Sequence, residues 1–386
     1  MTGIVRMGRL PVCGVVALAV LLGLTGCGAF FTCEGKADCP TTGGGGTTTG
    51  DYAYVSNSSL GSGYLNGYSL SSGTLVTATG FPFNLGYIPG AMAITPKNTY
   101  LYVASVSSTG AIYGYSIGTG GALTALDSGI ALVSENVASI DISPDGNWLF
   151  ALDANGVTMN EYSIASSTGL LKYAAPYTVN GDSTGSVTPR QVKFAPSGDF
   201  LVCALGEGGA EVFSFDTTTG VAAETTLIST GSASVGINAV DADGNGYIYA
   251  SGNAGLQVFS TNSSEEATLV STTPYTTGKG PNSLVINTGN AYVYTGNETD
   301  STLTGYTIGT AGALGTQTSL GSPYTGPTDV AAIGRDNSGT YLFAAGYSAT
   351  SGFQLFQIGS SGQLTATNTA ASGTDTTVPV VMALTH

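Results

Sequence analysis

Acid–base chemistry near neutral pH most often uses histidine, and this 386-residue chain has one, His386, at its last position. Any other base must be a carboxylate whose pKa has been raised by burial. Beyond residue 26 there are two arginines, Arg190 and Arg335. Arg190 has two readings: a cation neutralised by one of the many acids, or a group that holds an anionic or carbonyl-bearing ligand. Gly114-Tyr115-Ser116-Ile117-Gly118 has the spacing of a nucleophile elbow, a device that needs a strand-to-helix turn and a histidine partner. The segment returns with threonine as Gly305-Tyr306-Thr307-Ile308-Gly309, so a strand is the better reading. Asp241-Ala242-Asp243-Gly244-Asn245-Gly246 opens like a calcium loop, but its twelfth position is Gly252 where a bidentate glutamate is needed. A plain turn is expected there, with no metal and no cofactor.

Repeated strands must position whatever these residues do. From Asp51 onward the sequence repeats with a period of about 45 to 52 residues, the range of propeller blades. Tyr-x-Tyr recurs at Tyr52, Tyr100 and Tyr292; Gly-Tyr-Ser/Thr recurs at Gly67, Gly114 and Gly305; turn glycines recur at Gly73, Gly121, Gly169, Gly312 and Gly362. Six complete units begin near Tyr87, Glu135, Val187, Ser234, Gly280 and Pro327. The seventh is split, because Val378 to Thr385 repeats the segment Ile88 to Thr95, the inner strand of the first complete unit. The other three strands of that split unit run from Tyr52 to about Thr79. The expectation is an all-β, seven-bladed propeller of four-stranded blades, closed by a C-terminal strand that completes the N-terminal blade and removes open sheet edges. Pro379, Met382 and Leu384 then take the places of Pro89, Met92 and Ile94. The aromatic residues fall mostly on repeat positions and read as blade packing.

Charged residues make up only 9% of the chain, and nine bases face 24 acids. So acidic a surface repels nucleic acid. Residues 1–26 read as an export signal, with Arg6 and Arg9 before an apolar stretch, Val12 to Leu24, too short for a membrane span. It ends in Leu24-Thr25-Gly26-Cys27, which resembles the bacterial lipobox, so Cys27 is expected to carry the lipid that holds the protein to the membrane. Gly28 after it favours the outer over the inner membrane in a cell that has both. Cys33 and Cys39 could close a small disulfide in an oxidising compartment, worth roughly 2 kcal/mol at most. Residues 27–50 end in a Gly/Thr-rich tether, and the propeller occupies residues 51–386. Cys203 lies in a strand pattern and reads as a buried small hydrophobe.

Seven such blades, with turns like Ser143-Pro144-Asp145-Gly146, resemble the propeller lactonase family of 6-phosphogluconolactonases and carboxymuconate cyclases. The resemblance implies a site of His, Arg and Glu around the channel mouth. The family's Pro-Arg-His-x-x-Phe is similar to Pro189-Arg190-Gln191-Val192-Lys193-Phe194, which keeps the arginine and replaces the histidine with Gln191. Its Asn-Glu falls on Leu205-Gly206, with Glu207 one place late. A histidine position falls on Ala138, while Asp153 is kept after Leu152. Asn297-Glu298-Thr299-Asp300-Ser301-Thr302 resembles another family segment, but there Asn282 holds the arginine's place.

Two functions follow from this resemblance. One is a binding or interaction platform at the cell envelope, for carbohydrate, lactone or a partner protein, that has lost the family's histidines. The alternative is a lactone hydrolase in which Arg190 polarises the carbonyl and Glu207, Asp153 or Glu298 activates water.

Overall fold

The computed structural model describes residues 51–57, 63–107, 109–155, 157–183, 185–229, 235–315, 321–376 and 378–386. Cys27, Cys33, Cys39 and the tether lie outside them. Short alternating strands bounded by Gly, Asn, Asp and Pro turns produce seven antiparallel sheets, each a blade. The inner strands are Met382–Leu384 in blade 1, then Pro89–Ile94, Val137–Ile142, Gln191–Phe194, Ile237–Ala242, Pro281–Ile286 and Ala332–Arg335 in blades 2 to 7. Among the described residues there is no α-helix, and no helix long and apolar enough to cross a membrane. Gly114 to Ile117 lie in the strand Ala111–Ile117, and Asp243 to Gly246 form an ordinary turn capped by the Asp243 carboxylate.

The split blade closes as expected. Val55, Tyr54 and Ala53 pair with Met382, Ala383 and Leu384. The closing strand, Met382–Leu384, is shorter than Val378 to Thr385. Hydroxyls extend the seam on both sides. Val381 N–H donates to Ser56 Oγ at 2.9 Å, and Tyr52 N–H donates to Thr385 Oγ1 at 2.8 Å.

The two recurring motifs grip each other across blades. In Tyr-x-Tyr, the first ring covers the turn glycine of the next blade and the second hydroxyl donates to that glycine's carbonyl. Tyr54, Tyr102 and Tyr294 thus reach Gly121, Gly169 and Gly362 at 2.9, 2.8 and 2.7 Å. A Cβ on Gly121 would sit 2.5 Å from the Tyr52 ring, and φ there is +77°, so only glycine fits. Blade 3 uses Trp148 instead, its ring over Gly220 and its Nε1 donating to Thr217 at 3.1 Å. Such contacts, with the apolar clusters between blades, leave the inner strand edges facing a central channel.

Candidate functional site

The channel has a volume of about 650 Å³. Its inner strands run parallel to one another, as two bonds of equal sequence offset show: Val192 N–H donates to Ser139 Oγ and Phe194 N–H to Asp141 Oδ2. Strand starts therefore share one end, here called the mouth, and strand ends share the base. Second strands return to the mouth, so Arg190, Asp153, Glu207 and Glu298 all lie at that end.

A local irregularity aims side chains into the mouth. The register of inner and second strands skips one residue in blades 2, 3, 5 and 6, at Gly90, Ala138, Asn238 and Asn282. Such a bulge bends the strand and re-aims the extra residue. On blade 4, Arg190 holds the same place, and its N–H bonds to Ala204, the residue already paired with Gln191. Arg190, Asn238 and Asn282 form a polar arc on three successive blades, all lining the channel. Gly90 and Ala138 put no polar side chain at this place on blades 2 and 3.

Polar groups in the arc are only partly satisfied. Asn238 Nδ2 donates to the Pro281 carbonyl at 3.2 Å, and Asn282 Nδ2 donates to Glu298 Oε2 at 3.1 Å. The buried Asn282 Oδ1 and Ser283 Oγ have no partner. An unpaired buried acceptor costs about 1–3 kcal/mol. The Arg190 guanidinium makes no ion pair among the described residues; its Nε lies 3.6 Å from where a Gly206 Cβ would be.

The carboxylates stand further out. Among the described residues, Asp153, Glu207 and Glu298 do not line the channel. Asp153 accepts the Asn155 N–H at 2.7 Å, Glu298 is held by Asn282, and Glu207 is exposed beside Gly206. Glu135 was missed by the sequence reading. Burial pushes its carboxyl up, hydrogen bonds from Tyr162 and Asn160 oppose this, and Asp153 adds to the rise. Both its oxygens are occupied, by Tyr162 at 2.6 Å and Asn160 at 2.7 Å. Gln191, which replaces the family's histidine, helps hold the blades together. Its Oε1 accepts the Val240 N–H at 2.8 Å on the next blade's edge.

His386 is far from this mouth. It follows the closing strand at the base, exchanging two hydrogen bonds with the Asn98 side chain at 2.8 and 2.7 Å. Asp141, Lys193, Asp241 and Arg335 line the channel near the same end. The sequence flagged Arg335 only as the second arginine and Asp241 only as part of the turn. The available signal was a charge inside an apolar strand, as in Ser139-Ile140-Asp141-Ile142 and Gln191-Val192-Lys193-Phe194.

The family model for lactonases with a seven-bladed β-propeller matches residues 47–235 and 246–379. No curated protein sequence matches. Among solved structures, a provisional 6-phosphogluconolactonase of Bacteroides fragilis is similar, with a TM-score of 0.68 and 13% identity over 89% of this chain and 100% of that one. The periplasmic gluconolactonase PpgL of Pseudomonas aeruginosa gives 0.64 and 15% over 84% and 98%. At such identities the likeness speaks for the fold alone.

Proposed function

Because the chain belongs to the family of seven-bladed β-propeller lactonases, we propose that it is an exported, lipid-anchored member that binds a sugar acid, lactone or related polyhydroxy ligand at the channel mouth without hydrolysing it. The arc of Arg190, Asn238 and Asn282 carries this reading, above all the Arg190 guanidinium, which makes no ion pair among the described residues. A guanidinium suits a carboxylate or lactone carbonyl, and an amide oxygen suits a hydroxyl donor. Among the described residues, the mouth offers no lumen-facing base to take a proton from water, and the single histidine stands at the other end. Neighbours whose names include gluconolactonase make the lactone and its hydrolysed acid the first ligands to try.

A hydrolase reading rests on one observation, that Glu207 follows the Gly206 backbone on which Arg190 lies. Both readings meet the same experiment. The full-length chain in detergent is titrated calorimetrically with D-gluconate and assayed for hydrolysis of glucono-δ-lactone. Binding that weakens at least about tenfold in Arg190→Ala, with hydrolysis at the spontaneous rate, is the expected result. Hydrolysis well above that rate, abolished by Arg190→Ala or Glu207→Gln, would overturn the binding-only function. Mass spectrometry of the mature N-terminus tests the lipid on Cys27.

A further inference from the structure

The base of the channel carries a second set of charges that the mouth does not use. Asp141, Lys193 and Asp241 occupy the same inner-strand place on blades 3, 4 and 5, two residues before the turn positions Ser143, Ala195 and Asp243. Arg335 stands one residue before the equivalent Asp336 on blade 7, and His386 follows the closing strand of blade 1. All five line the lumen.

The acids there are already committed. Asp141 Oδ2 accepts the Phe194 N–H at 2.8 Å and lies 3.7 Å from Lys193 Nζ. Asp241 accepts the N–H groups of Ile286 and Ala242, each at 3.0 Å. The cations are less fully used. Lys193 remains 39% exposed, and its one ion pair is long for a charge-assisted hydrogen bond. Arg335 donates Nε to the Ile286 carbonyl and Nη1 to Thr288 Oγ1, both at 2.8 Å and both neutral. It makes no ion pair among the described residues.

Charge is distributed unevenly over the whole molecule. In a chain whose 24 acids outnumber its nine bases, the base of the channel is balanced among the described residues, with Lys193 and Arg335 facing Asp141 and Asp241. A lumen walled by low-dielectric strands concentrates the field of such charges. The His386 imidazole registers that field: burial holds its pKa below the ordinary value and Lys193 and Arg335 push it further down, while the Ile94 carbonyl, 3.3 Å from Nε2, and Asp141 oppose them.

We propose that the base of the channel is an anion site, separate from the mouth, in which Lys193 and Arg335 hold a small oxyanion beside the His386 ring. The anion is the phosphate or carboxylate of a metabolite-sized ligand. This stands whether or not the mouth binds a sugar acid.

The lone histidine makes the site observable. In the full-length chain in detergent, purified without a histidine tag, His386 gives the only imidazole signals in NMR. Inorganic phosphate should raise its pKa by about one unit relative to chloride at equal ionic strength, since a nearby anion favours imidazolium. Lys193→Met and Arg335→Met should each weaken phosphate binding about tenfold or more, Lys193→Arg should retain it, and Lys172→Ala should leave it unchanged. A parallel D-gluconate titration separates the classes: a response to gluconate alone assigns a carboxylate, and to phosphate alone a phosphate. Should Lys193→Met fail to fold, the wild-type titration and Arg335→Met still decide. An unmoved His386 signal with both anions, or anion binding lost in Arg190→Ala but kept in Arg335→Met, would overturn the proposal.

Discussion

At the mouth of the channel, Arg190 presents a guanidinium without a charged partner among the described residues, and Asn282 keeps a buried oxygen unpaired. At the base, the Asp141 and Asp241 carboxylates each cap an N–H on the edge of the next blade, and Arg335 bonds a carbonyl of the preceding one. The same seven strands therefore serve two purposes along their length. Base residues stitch neighbouring blades together and also project charge; at the mouth Asn238 bonds the next blade, while Arg190 and Asn282 bear little of the fold. Polar groups that hold the fold together cannot be removed cheaply, while those that await a ligand can.

The largest effect should come from the seam that ends at the base. Removing residues 378–386 leaves the edge of Asp51–Asn57 unpaired and takes away the Asn98 contacts. The expected outcome is aggregation and loss of the cooperative melting transition, followed by circular dichroism and size-exclusion chromatography. A melting temperature equal to that of the intact chain would defeat the closure mechanism.

Next in size, Asp241→Ala should cost about 2–3 kcal/mol in denaturant unfolding, because it orphans the Ile286 N–H and deprives Lys193 of a flanking acid. At the other end, Arg190→Ala should change stability by no more than about 0.5 kcal/mol while weakening ligand binding about tenfold or more. Equal costs at the two positions would erase the distinction between the ends.

The mouth does have one buried electrostatic weak point. Glu211 is fully buried, its Oε1 accepting the Asn180 and Gly181 N–H groups at 2.7 and 2.6 Å while Oε2 has no partner. Burial pushes its pKa up, and the two backbone bonds oppose this only in part. The folded state thus holds this proton more tightly than the unfolded chain. Its contribution is complete below the ordinary glutamate pKa and is lost as pH rises through the folded value. Glu211→Gln, which mimics the protonated carboxyl, should flatten the decline in melting temperature above about pH 4.5 and raise stability at neutral pH. A steeper decline in the variant would reverse the assignment.

Much of the fold was legible because propeller blades repeat locally. The Tyr-x-Tyr and turn-glycine positions were visible as repeats, although only the structure shows that they lock onto each other, Tyr102 on Gly169 for example. The split blade was legible from Pro379 and Met382 standing where Pro89 and Met92 stand. The site was less so. Arg190 was singled out and lines the lumen, but its neighbours Asn238 and Asn282 were not grouped with it. Their side chains reach the lumen through one-residue bulges, and a bulge shows only in the pairing register.

By itself, the sequence determined seven blades, their order and their closure, because alternating apolar strands and glycine turns encode each blade within its own short segment. Only the tertiary structure decided that Gln191 caps a neighbouring strand, that Glu298 is held by Asn282, and that His386 stands at the Lys193 and Arg335 end of the channel and not at the mouth. The physical reason is distance along the chain. Residues that share a ring are about a blade's length apart in sequence, and what they face depends on strand direction and register, which long-range pairing sets.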